Sequence, residues 1–94
     1  MPAPHLAHGD YLLQSAAMVA DAQDLYIWRQ KRIRWIDATA GTLEAQVGAD
    51  ASTEFRAVAS LRSPFAEWST ALVVEERALL AGLEALRSRQ LLTE

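Results

Sequence analysis

The chain has no cysteine and no asparagine, one lysine, three prolines, and four glycines that never stand together. Without cysteine, neither a disulfide nor a thiolate metal site can form, and the redox state of the compartment leaves no trace. Isolated glycines at 9, 41, 48 and 82 exclude a glycine-rich phosphate loop. No Glu-x-x-His pair occurs, which removes the ligand set of a di-iron helical bundle. No Gly-x-Ser-x-Gly nucleophile turn occurs either. His5 and His8 lie three apart, but Pro4 and Gly9 flank them and no carboxylate pattern completes a metal site. These absences lead to the expectation of a chain that is not an enzyme and uses no cofactor or metal.

Two further absences bear on location. No stretch approaches the roughly 20 apolar residues that span a bilayer. The run Leu12–Ala22 ends in an Ala-x-Ala-like pattern, yet no Lys or Arg precedes Arg29, so the basic region of a secretory leader is missing. The expectation is a cytoplasmic protein with no membrane contact.

What is present favours helices. Apolar residues make up 51% of the 94, which is ample for a core and far from the disordered class. Ala and Leu dominate and β-branched residues are sparse, a composition that suits helices. The formal charge of −3 is mild, and it disfavours a general nucleic-acid coat while leaving room for a local basic patch.

The stretch from Tyr26 to Leu43 concentrates rings and charge. It holds Trp28 and Trp35, two of the three tryptophans, and four bases within six residues: Arg29, Lys31, Arg32 and Arg34. Steps of three and four pick out Val19, Ala22, Tyr26, Arg29, Ile33 and Ile36, and continue through Ala40, Leu43 and Val47. A second stripe, Leu25, Trp28, Arg32 and Trp35, lies one residue earlier. Adjacent stripes merge into one broad apolar face that one neighbour cannot cover. Alternation of period two fits poorly, so the stretch reads as helix.

Along the chain, residues 1–9 read as a flexible lead-in and Asp10 as the N-cap of the first helix. Gly48 reads as the residue after that helix's end, close to the midpoint of the chain. A short helix is expected from Thr53 to Arg62. Ser63-Pro64 has the chemistry of an N-cap followed by a first helical residue, so the last helix is expected from Pro64 to about Leu91. Its apolar stripe includes Phe65, Trp68, Leu72, Leu79, Leu83 and Leu86, with Glu75 or Glu76 at the polar step. Glu75, Glu76 and Arg77 read as a solvated strip. The predicted fold is all-α: a long helical hairpin of residues 10–47 and 53–91. At 1.5 Å per residue the first arm is about 57 Å long.

A lone hairpin leaves half of each broad face wet, and pairing with a second copy or docking on a partner would complete a bundle. A compact monomer requires instead that the first arm fold back, with Gly41 as the expected break. Arg29 admits two readings, a buried charge that specifies a partner or a surface side chain with a packed stem. The tryptophans likewise divide between core rings and interface anchors.

The function expected is that of a small assembly or adaptor protein, with a homodimer favoured. The candidate interface is Tyr26, Trp28, Arg29, Arg32, Ile33, Trp35, Ile36 and Trp68. The alternative is a nucleic-acid-associated regulator using the basic-aromatic turn 26–36. Bases spread over more than one face, with Trp and Ile between them, suit a groove-reading helix poorly.

Overall fold

The computed structural model describes the backbone of residues 3–93 and the side-chain environments of residues 5–89. Four α-helices account for most of it: α1 (Ala3–Ser15), α2 (Ala22–Gln46), α3 (Ala49–Ala59) and α4 (Trp68–Thr93). No strand occurs among the described residues.

The predicted first arm is divided. After α1 a 3-10 turn, Ala16–Met18, and an extended Val19 reverse the chain before α2 begins. Asp21 starts α2 as an N-cap: its carboxylate accepts from the Asp24 amide at 2.8 Å, and Asp24 Oδ2 accepts in return from the Ala20 amide at 3.1 Å. The first bond satisfies an amide that the helix start leaves without a partner, and the second ties the residue before the cap to the first turn. The fold-back therefore lies at residues 16–21, while Gly41 stays inside α2 facing open space. The stretch expected as a flexible lead-in belongs to α1 from Ala3 onward, with Pro4 in the first turn, where its missing N–H costs nothing.

The midpoint turn is where the sequence places it. The Val47 and Gly48 amides both close on the Leu43 carbonyl, at 2.8 and 3.1 Å. Gly48 takes φ = 142°, a conformation that side-chain-bearing residues rarely adopt. The second arm departs from expectation at its N-terminal part. α3 ends at Ala59, and residues 60–67 run without helix. Ser63 does not cap; its hydroxyl accepts from the Phe65 amide two residues on, a local turn that competes with helix. Glu67 caps α4 instead, accepting from the Ser69 and Thr70 amides at 3.1 and 2.8 Å.

Paired contacts show the helix directions. Leu12 meets Trp28 and His5 meets Trp35, so α1 and α2 run antiparallel. Glu54 pairs with Arg89 and Ala59 lies on Gly82, so α3 and α4 are antiparallel as well. α2 and α4 run parallel across the middle, with Arg29 beside Glu75 at one end and Leu43 near Leu86 at the other. The result is an up-down-up-down four-helix bundle closed by α1 against α4. Its longest dimension is 40 Å, well short of a 57 Å arm. α1 folds back within the chain and packs on both α2 and α4.

The core follows the predicted stripes in part: the Leu25, Trp28, Arg32 and Trp35 stripe is buried, while Tyr26, Ile33 and Val47 of its neighbour and Phe65 of the last stripe are exposed. Leu25, Trp28, Trp35, Ile36 and Leu43 point inward from α2, and Leu79, Leu83 and Leu86 from α4. Full burial of such side chains is worth about 1.5–3 kcal/mol each. Trp35 packs edge-on to Phe55, with ring centroids 5.5 Å apart. Two glycines admit close approach: a Cβ on Gly9 would press on Leu83 and on Trp35, and one on Gly82 would lie 2.7 Å from the Ala59 Cβ.

Candidate functional site

The eight residues expected to form a partner interface do not share one surface. Trp28, Arg32, Trp35 and Ile36 are buried within the single chain. Arg29 and Trp68 are half-buried, and only Tyr26 and Ile33 are well exposed. The aromatic-basic face is thus covered from inside. α1 supplies a backbone acceptor for each buried indole: Trp28 Nε1 donates to the Leu12 carbonyl and Trp35 Nε1 to the His5 carbonyl, both at 2.8 Å. A buried indole N–H needs such a partner, and here the partners come from the helix whose start was expected to be flexible.

The bases of α2 have a counter-charge that the sequence reading placed in solvent. Glu75 of α4 is fully buried, at 0% exposure. Arg29 grips it with Nε at 2.9 and 3.1 Å from its two carboxylate oxygens and Nη2 at 2.5 Å. Arg32, only 1% exposed, reaches the same carboxylate at 3.2 Å. It also donates to the Glu75 carbonyl at 3.2 Å and to the Leu61 carbonyl at 3.4 Å, and lies 5.6 Å from the Trp28 ring centre. Its Nε is buried without a hydrogen-bond acceptor. Hydrogen bonding to Glu75 raises the Arg29 pKa. Burial lowers that of Arg32, Glu75 opposes the shift, and the charges of Arg62 and Arg29 add to it. The triad ties α2, α4 and the 60–67 segment together. Glu75 lies at 0% exposure, so the carboxylate of the triad does not reach the surface.

A second polar cluster joins α1 to α2. His5 meets Thr39 through Nδ1 at 3.2 Å and Thr42 through Nε2 at 3.0 Å. Both ring nitrogens are thereby engaged with hydroxyls. Among the described residues no group of three or more His, Asp or Glu is placed to hold a metal ion, and no helix is long and apolar enough to cross a membrane.

The outer surface offers a more open feature. Between the end of α3 and the middle of α4 runs a groove of about 510 Å³. Ala57, Ala78 and Ala81 keep it shallow, while Val58, Leu61 and Val74 make it apolar. Val58 is 42% exposed and Leu61 57% exposed, so the groove has no cover. Among the described residues Arg77 is its sole charged lining residue, and none of them forms an ion pair with it. A smaller groove between α1 and α2, of about 230 Å³, is edged by Tyr11, Met18 and Ile27. The sequence reading assigned none of the α3–α4 groove residues to an interface: Arg77 reads there as part of a solvated strip. Their signal was present in Val58 and Leu61, which step off the buried Phe55–Ala59 stripe of α3.

No family model matches this chain, and neither a curated protein nor a solved structure is significantly similar to it.

Proposed function

We propose that this chain is a small, non-enzymatic assembly or adaptor protein of the cytoplasm that works through a helical protein–protein interface, and that this interface is the α3–α4 groove. The observation that carries the reading is exposed apolar surface around a concave floor of alanines, bounded by Val58, Leu61 and Val74. An amphipathic helix laid into such a groove buries apolar area at roughly 25 cal/mol per Å². Half-buried Arg29 and buried Arg32 both pair with buried Glu75, which favours a non-enzymatic reading.

The nucleic-acid alternative loses support from the triad. Two of the four bases in the basic turn, Arg29 and Arg32, are committed to Glu75, leaving Lys31 and Arg34 exposed. Two bases release few counterions, and binding by this turn would weaken only shallowly with salt.

The test is capture of partners from native extract by wild type and by Leu61→Asp, with far-UV circular dichroism to show that the variant is folded. Self-association counts as capture of the protein itself. The reading predicts that the folded variant loses what the wild type retains. Equal retention by both would remove the groove from consideration.

A further inference from the structure

Resting on that reading, we infer that the occupant of this face is a second copy of the chain, docked along a two-fold axis so that the two α4 helices cross antiparallel.

The outward face of α4 has the charge pattern that such a pairing requires. Arg77 and Glu84 are both exposed and lie seven residues apart, two helical turns on one side of the helix. Neither takes part in an ion pair among the described residues. The other described cations of α4, Arg87 and Arg89, are held by Asp10 and Glu54. The midpoint between Arg77 and Glu84 falls between Leu80 and Ala81. A two-fold axis through that point brings Arg77 of each copy opposite Glu84 of the other, forming the pair twice. An isologous interface must be self-complementary in this sense.

Apolar surface flanks the charged row on both sides. On the α3 side lies the groove with Val58 and Leu61. On the other side Val73 and Leu80 are 48% and 39% exposed. A two-fold axis brings like flanks together, so Leu80 meets its counterpart near the axis and the two α3 edges face each other above it. Ala81, at the centre of the face, is small enough to let the helices approach closely. From Thr70 to Ser88 the face runs about 28 Å. A stable interface needs about 800 Å² from each partner, a modest share of the 5663 Å² of accessible surface.

Charge reversal tests the pairing. Sedimentation equilibrium is measured from micromolar to several hundred micromolar on wild type, Arg77→Glu, Glu84→Arg and an equimolar mixture of the two variants. Circular dichroism melts confirm that each variant is folded. Wild type is expected to dimerise, each single variant to dimerise about tenfold more weakly, and the mixture to recover affinity as a heterodimer, because one copy then carries two acids and the other two bases. A wild type that stays monomeric throughout overturns the inference. So does a dimer that ignores both reversals or fails to recover in the mixture. If Leu61→Asp still abolishes capture of a different protein in either case, the groove remains the working surface and only the second copy is rejected.

Discussion

Glu75 is the residue on which the interior turns. A carboxylate at 0% exposure between two guanidinium groups cannot lose one side of the arrangement cheaply. Glu75→Ala would leave Arg32 buried and unpaired, at an expected cost of about 3–5 kcal/mol. A urea titration that gives a loss below 1 kcal/mol would contradict this account. Replacing the set together, with Arg29→Leu, Arg32→Met and Glu75→Leu, should recover most of the loss, since apolar replacements of a buried ion network are often neutral or stabilising. The glycines separate in the same way. Gly41→Ala, with open space around it, should gain about 0.5–1 kcal/mol from helix propensity. Gly9→Ala and Gly82→Ala should each lose about 1–3 kcal/mol, because the added methyl meets Trp35 at 2.6 Å in one case and Ala59 at 2.7 Å in the other. Thermal melts of the three variants decide this. At this scale the sequence was half legible. The repeat put Arg29 at an inward step and put Glu75 or Glu76 at another. Neighbouring Glu76 and Arg77 made the strip look solvated, and only the packing of α4 on α2 selects Glu75 as the counter-charge.

The helices themselves were legible wherever apolar spacing was regular. α2 from Leu25 to Leu43, the turn at Gly48 and the body of α4 follow the pattern. The breaks were not. Residues 15–20, Ser-Ala-Ala-Met-Val-Ala, contain no glycine or proline, and local preference there does not decide between helix and turn. The gain from covering Trp28 and Trp35 with α1 decides it, a tertiary effect invisible to a local reading. The Asp21–Asp24 cap was a usable signal, spaced like a capping box, but the continuous repeat overrode it. The start of α4 shows the same rivalry, since Ser63-Pro64 had the favoured chemistry and Glu67 makes the cap. Hydrogen bonds from the Ser69 hydroxyl, with those of the Thr70 and Ser69 amides, hold Glu67 at a pKa of about 2. A depressed carboxylate pKa contributes stability that is complete above its ordinary value near 4.5 and fades as pH falls toward 2. Glu67→Gln should therefore lower the melting temperature at pH 7 and match wild type near pH 2. Equal melting temperatures at pH 7 would remove Glu67 as the cap.

On the scale of the whole molecule, the bundle hides its aromatic core and turns the α3–α4 groove outward. A dimer through that face links stability to concentration, because a partner that binds only the folded chain stabilises it by mass action. The melting temperature should rise as protein concentration increases from a few micromolar to several hundred, and Arg77→Glu should flatten that rise. A concentration-independent melt of the wild type would speak for a solitary bundle.

The Arg29–Glu75 bond joins positions 46 apart in sequence on helices that face each other across the bundle. It cannot form from local structure and requires α2 and α4 to come together, so it is expected on the native side of the folding barrier. Weakening it by Arg29→Leu should speed unfolding while leaving the refolding limb of a chevron plot nearly unchanged. On that outcome the ion triad is a late latch: it governs how long the closed bundle lasts and has little influence on how quickly it is reached.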